Sequence, residues 1–222
     1  MRVQPFVRVL APLVLAAGAS NALAAAFQNG SFESVVLGSG VDYTTLAAGS
    51  GNLTGWTIEF GSVDHIRNYW QPAAGQQSVD LFGNEQGRIL QTFDTTPGQQ
   101  YQVSFQYSIN PDGGGTPRGV IVAALDGGST LFQNNYAYAG SATRQNMDWR
   151  SQSFEFTATG AQTTLRFGAY DVQQPNQCCY GAALDNVQVA AVPEAHEWAM
   201  MLAGLGLIGW VASRRRGTAS IA

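Results

Sequence analysis

Four residues in one short stretch could hold a sugar: Asp64, Tyr69, Trp70 and Asp80. A glycan site needs flat aromatic faces for the C–H side of a pyranose and a few polar groups that fix the direction of its hydroxyls. Tyr69 and Trp70 open the polar, Gly- and Pro-bearing run Asn68–Gly75, which reads as an exposed loop. Asp80 lies between Val79 and Leu81, so in a strand its carboxylate points away from both. Arg118, Tyr136 and Tyr138 form a second set, with Asn134–Tyr138 read as a polar, aromatic loop of the kind that lines glycan grooves. These seven are the expected carbohydrate-binding residues.

Other chemistries find little support. His65 is the only histidine between residues 25 and 192, and no Gly-x-Ser-x-Gly elbow exists to serve it. It is expected to be structural. The two cysteines, Cys178 and Cys179, are adjacent, which fits neither a zinc site nor a Cys-x-x-Cys redox site and leaves a vicinal disulfide, an interchain pair or free thiols open. The Asp112–Thr116 run is Gly-rich but lacks the lysine of a phosphate cradle. No carboxylate pair is marked out for glycoside hydrolysis. The chain is therefore expected not to be an enzyme.

Residues 25–192 hold thirteen acidic residues against six arginines, and there is no lysine anywhere. A surface with that balance argues against nucleic acid or anionic lipid as a partner.

These residues must be positioned by strands. Period-two runs rich in β-branched and aromatic residues recur between Gly, Asn, Asp and Pro clusters. The expected strands are 27–33, 55–60, 63–66, 77–82, 88–92, 101–107, 119–125, 130–133, 149–158, 163–170 and 184–190. In the clearest, Tyr101, Val103, Phe105 and Tyr107 share one face, and Gln102, Ser104 and Gln106 the other. No amphipathic helix is evident in this region. The expected fold is all-β, a jelly-roll β-sandwich.

Both termini read as addresses. Residues 1–24 have the positive start, apolar core and Ala-Leu-Ala end of a secretory signal peptide. The tail has a polar lead-in, Val192-Pro193-Glu194, an apolar run from Trp198 to Ser213, and the basic cluster Arg214, Arg215 and Arg216. The run would be about 24 Å long as a helix, just short of a usual span. Residues 193–216 resemble a PEP-CTERM sorting segment, with Ala195 in place of the motif's second proline. That resemblance implies transient residence in the inner membrane, recognition by an exosortase, and delivery to the cell surface or extracellular matrix of a Gram-negative bacterium. Between the two addresses, residues 25–192 form one domain.

The landmarks of that domain come in a particular order. Gln28-Asn-Gly-Ser-Phe-Glu33 is followed by Gly55-Trp-Thr-Ile58, Gly75-Gln-Gln-Ser-Val-Asp-Leu-Phe-Gly83, Gly87-Arg-Ile-Leu-Gln-Thr-Phe93 and Leu184-Asp-Asn-Val187. The order resembles the choice-of-anchor C family, secreted bacterial proteins related to a plant cell-wall domain family and grouped with the galactose-binding-like jelly rolls. The resemblance implies neighbouring terminal strands and a structural calcium ion between them, with Glu33 and Asp185 as its carboxylate ligands. It implies no established enzymatic activity. The expected function is binding of extracellular polysaccharide; the alternative is a structural matrix protein that acts by protein–protein association.

Overall fold

In the computed structural model, which describes residues 26–36, 41–113, 117–171, 179–193 and 203–208, the alternation in 101–107 does what it promises. Val103, Phe105 and Tyr107 are buried, while Gln102, Ser104 and Gln106 are not. The same logic builds eleven strands: β1 Tyr43–Ala47, β2 Thr57–Phe60, β3 Ser62–Ile66, β4 Ser78–Asp80, β5 Arg88–Asp94, β6 Gln100–Ile109, β7 Arg118–Asp126, β8 Ser129–Tyr138, β9 Arg150–Thr157, β10 Gln162–Asp171 and β11 Ala182–Ala191.

They form two antiparallel sheets, one in the order β1-β3-β4-β11-β6-β9 and the other β2-β5-β10-β7-β8. Strands β4 to β11 divide between the sheets as the eight strands of a jelly roll do: first, eighth, third and sixth in one, second, seventh, fourth and fifth in the other. β1 and β3 extend the first sheet beside β4, and β2 extends the second beside β5. The fold is an all-β sandwich, as expected.

One apolar core fills the space between the sheets. Phe105 and Phe167 meet edge-on at 5.2 Å, and Phe132 stacks on Phe154 at 4.1 Å. Trp56 is buried there, with its indole N–H donating to Asn29 O at 2.9 Å. His65 is buried too, Nε2 lying 3.1 Å from Phe32 O, and burial holds its pKa below the usual value. It is a structural histidine. A second apolar cluster joins Ile66, Trp70, Met147 and Ala183, where the loops 67–77 and 139–149 meet. Those loops are tied by Gln71 N donating to Arg144 O at 2.9 Å and by Trp149 Nε1 donating to Gln71 O at 3.1 Å.

Three expectations change. Residues 27–33 are not a strand, because Asn29 and Phe32 take φ of 52° and 58°, which no ladder accepts. Their chain instead meets β11 at a bulge, where Val187 N donates to Gly30 O at 2.9 Å. β1 was not foreseen. Asn134–Tyr138 is not a loop but the second half of β8, paired with β7 from Arg118↔Tyr138 to Asp126↔Ser129.

At the C-terminal side, β11 closes with Val192 N donating to Gln100 O at 2.8 Å, and Pro193 is exposed. Glu194, Arg214, Arg215 and Arg216 lie outside the described residues, as do residues 1–24, where a signal peptide is expected, and Cys178. Residues 203–208 are helical, with Leu205, Leu207 and Ile208 exposed. Among the described residues no helix is long and apolar enough to cross a membrane.

Candidate functional site

Side-chain alternation decides what the first sheet shows on its outer face. Val63, Val79 and Leu184 enter the main core, so Asp64, Asp80 and Asp185 take the opposite side of adjacent strands β3, β4 and β11. Asp64 and Asp80 are register partners across β3 and β4. Directly opposed residues stand with their Cβ atoms about 5 Å apart, so two carboxyl groups share the floor of whatever lies above them.

Above them is a cleft of about 380 Å³. Its walls bring in Tyr43 from β1, Tyr69 and Trp70 from the loop 67–77, Asn84 after β4, Asn110 and Asp112 after β6, Arg144 from the loop before β9, and Tyr180 before β11. Tyr43 and Tyr180 are 46% and 39% exposed, so both offer ring surface to solvent.

The floor is desolvated. Asp80 is 1% exposed. Its Oδ1 accepts from Phe82 N at 2.9 Å and Gly181 N at 3.1 Å, and its Oδ2 accepts from Asn110 Nδ2 at 2.7 Å. Burial outweighs these bonds and pushes its pKa up to about 8, with the Asp64 charge adding to the rise. Asp64 is also pushed up by burial, against a 2.6 Å hydrogen bond from Thr45 Oγ1. A pKa near 8 favours the neutral Asp80 carboxyl at neutral pH.

The wall is rigid. Tyr69 OH donates to Asp112 Oδ2 at 2.6 Å, which raises the phenol pKa to about 12. The Arg144 guanidinium lies 3.9 Å over the Tyr69 ring and donates to Asp112 through Nη2 at 2.8 Å and Nε at 3.3 Å. Burial pushes the Asp112 carboxyl up, but the bonds from Arg144 and Tyr69 leave it below the usual range. Tyr43 meets the Tyr69 ring edge-on at 5.2 Å.

Of the seven expected sugar contacts, the fold brings together Asp64, Tyr69, Trp70 and Asp80. Trp70 differs from expectation in exposure. It is 4% exposed, and its Nε1 donates to Ser78 Oγ at 2.9 Å, so it is a buried backing for the wall and not a free platform. Arg118, Tyr136 and Tyr138 do not line this cleft. Arg118 is buried. Tyr136 packs edge-on against Phe105 at 5.5 Å, and Tyr138 against Tyr107 at 5.6 Å, because alternation turns both β8 rings toward the first sheet. Tyr43, Asn84, Asn110, Asp112, Arg144 and Tyr180 were not foreseen. They come from segments scattered through the chain and carry no common local signal.

Glu33 and Asp185 do converge, but on a backbone segment. Asp185 Oδ2 accepts from Ala73 N and Ala74 N, each at 2.8 Å, and Oδ1 accepts from Asn186 N at 2.6 Å. Glu33 Oε1 accepts from Gln76 N at 2.8 Å and Gln77 N at 2.9 Å. N–H groups take both lone pairs of Asp185 Oδ2 and of Glu33 Oε1, which leaves too few free oxygens in this donor set for the six to eight that a calcium ion takes. Among the described residues no group of three or more His, Cys, Asp and Glu side chains gathers in the manner of a metal site. The two carboxylates instead clamp the loop that carries Tyr69 and Trp70. Burial pushes the Asp185 pKa up to about 7. Cys179, at the cleft edge, is disulfide-bonded and offers no thiol.

Residues 25–190 match the family described as "Protein of unknown function (DUF642)", and the chain belongs to that family. Halomucin of Haloquadratum walsbyi is 32% identical over 165 residues, which is 73% of this chain but 2% of that protein. Among solved structures, a CBM4 module is 15% identical with a TM-score of 0.41, over 75% of this chain and 100% of that one. The CBM22-1 xylan-binding domain from Paenibacillus barcinonensis is 17% identical with a TM-score of 0.43, over 68% and 95%. An arabinose-bound α-L-arabinofuranosidase, MgGH51, is 14% identical with a TM-score of 0.49, over 76% and 26%. No residue's role is carried over from any of them.

Proposed function

We propose that this member of the DUF642 family is a non-enzymatic glycan-binding protein whose ligand lies in the cleft over Asp64 and Asp80. The observation that carries the reading is the juxtaposition of exposed tyrosine rings, Tyr43 and Tyr180, with a polar floor of Asp64, Asp80 and Asn110. Rings supply flat apolar area for sugar C–H groups, and the half-buried Asp64 carboxyl on the floor supplies a directional acceptor. The local charge is acidic, which suits a neutral hydroxyl-rich chain. The clamp on loop 67–77 and the Tyr69–Asp112–Arg144 network hold the wall in place before ligand arrives, so little ordering cost falls on binding.

The terminal addresses support an extracellular setting. A signal peptide over 1–24 and a sorting tail over 193–216 fit export across the inner membrane, recognition by an exosortase, and residence at the cell surface or in its polysaccharide matrix.

The test is a glycan array with the full-length chain and with Tyr43→Ala/Tyr180→Ala. Both side chains are surface-exposed, so the variant keeps its fold. Binding to neutral glycans that falls at least tenfold in the variant supports the reading. A blank array with folded protein overturns it.

A second reading, a matrix protein that associates with its own kind, is favoured by one feature. β8 is a ten-residue edge strand without lysine or proline, the usual guards of an open edge. Light scattering that shows a monomer at every concentration would count against it.

A further inference from the structure

The opposite face of the sandwich holds another groove. On the outer side of the five-stranded sheet, a depression of about 340 Å³ runs over β5, β10 and β7. Two of its floor positions are small, Gly168 on β10 and Ala123 on β7, with Ile121 beside them and Phe60, Arg88, Arg166 and Gln133 around them. Phe60 is 55% exposed, with the Arg88 guanidinium 5.8 Å from its ring centre.

The charge at this groove runs against the rest of the domain. Arg88 Nε lies 2.7 Å from Glu59 Oε2, and Arg166 Nη2 lies 3.0 Å from Glu59 Oε1. One carboxylate thus serves two guanidiniums. The ion pairs of Arg144 with Asp112 and of Arg150 with Asp148 are one to one. The arginine side chains remain 42% and 30% exposed, so each can still donate outward. An acidic protein with a local excess of one cation, next to an exposed aromatic face and a shallow floor set by Gly168, Ala123 and Ile121, offers a place for a flat, carboxylate-bearing ligand. Guanidinium pairs well with carboxylate, and the ring covers the apolar side of a pyranose.

We propose that this groove is a second glycan site, which takes a carboxylated sugar unit, a uronate, of an acidic polysaccharide. It is separate from the Asp64–Asp80 cleft, on the other sheet, and stands or falls without it. With both sites occupied, one domain would bridge two polysaccharide strands.

The experiment is affinity electrophoresis of the full-length chain in gels containing polygalacturonate or alginate, with fully methyl-esterified pectin as the uncharged control. The net charge of the chain is −4, so a polyanion has no general attraction for it, and retardation reports a local site. Gly168→Val fills the groove at little cost to the fold. A Cβ there would meet the Arg88 side chain at 3.5–3.7 Å, ordinary contact distance, and its φ lies outside the left-handed region. Retardation by at least one of the acidic polymers, absent with the ester, weakened by salt and about tenfold lower in Gly168→Val, is the expected result. Tyr43→Ala, in the other cleft, should leave it unchanged. No retardation by either acidic polymer overturns the proposal, and so does retardation that Gly168→Val leaves intact. Should Gly168→Val prove unfolded, Phe60→Ala/Arg166→Gln takes its place with the same two outcomes.

Discussion

Asp64 and Asp80 stand opposite one another across β3 and β4, both on the outer side of the first sheet, Asp80 buried and Asp64 half-buried. Burial is what raises the Asp80 pKa to about 8, with the Asp64 charge a smaller addition, so the neutral, protonated Asp80 carboxyl is favoured at neutral pH.

That proton makes stability depend on pH. Asp80 in the unfolded chain ionises near 3.9, roughly the ordinary value, whereas in the fold it ionises at about 8. The native state therefore binds more protons between those values, and stability falls as pH rises through that window. Asp185, at about 7, acts in the same direction. His65 opposes them below about pH 6.5, because its lowered pKa favours the folded state only where the unfolded imidazole is neutral. The clean window is above that point. Tm should fall by roughly 5 °C between pH 6.5 and 8.5, and Asp80→Asn should remove most of that slope in scanning calorimetry.

Trp70 is a load on stability more than on recognition. It is buried and hydrogen-bonded to Ser78. Trp70→Ala should cost about 3–5 kcal/mol in denaturant titration. Trp70→Phe, which keeps most of the ring and loses the N–H, should cost markedly less.

The loop clamp should behave as protein, not as a metal site. Asp185→Ala orphans the N–H groups of Ala73, Ala74 and Asn186. It should destabilise the domain by about 3 kcal/mol and weaken cleft binding, since the loop carries Tyr69. Added calcium and chelator should leave the Tm of the unaltered chain within about a degree of each other. A calcium-dependent rise of several degrees would restore Glu33 and Asp185 as ligands.

Gly30 marks where the N-terminal segment docks on the β11 bulge. A Cβ there would run into the Val187 carbonyl. Gly30→Ala should lower Tm by several degrees, comparable with a core mutation, although residue 30 lies outside every strand.

The strands of the sandwich were legible because alternation is a local property. Val103, Phe105 and Tyr107 must bury together wherever the strand is placed, and Asp80 must oppose Val79 in any sheet. A minority of the cleft could be seen locally too, Asp80 through alternation and Tyr69 and Trp70 through the polar run around them. Polar composition around Asn68–Gly75 could not tell that Trp70 turns inward, since its cover comes from Met147 and Ala183, far along the chain.

The sequence by itself determined the all-β class, the acidic balance and the absence of a recognisable catalytic motif, because each follows from residue types and their spacing. Tertiary structure alone decided that Asp64 faces Asp80, that Tyr43, Arg144 and Tyr180 complete one cleft, and that Glu33 and Asp185 hold a loop. Those relations depend on strand register and jelly-roll order, which join segments far apart in the chain and leave no mark on any one of them.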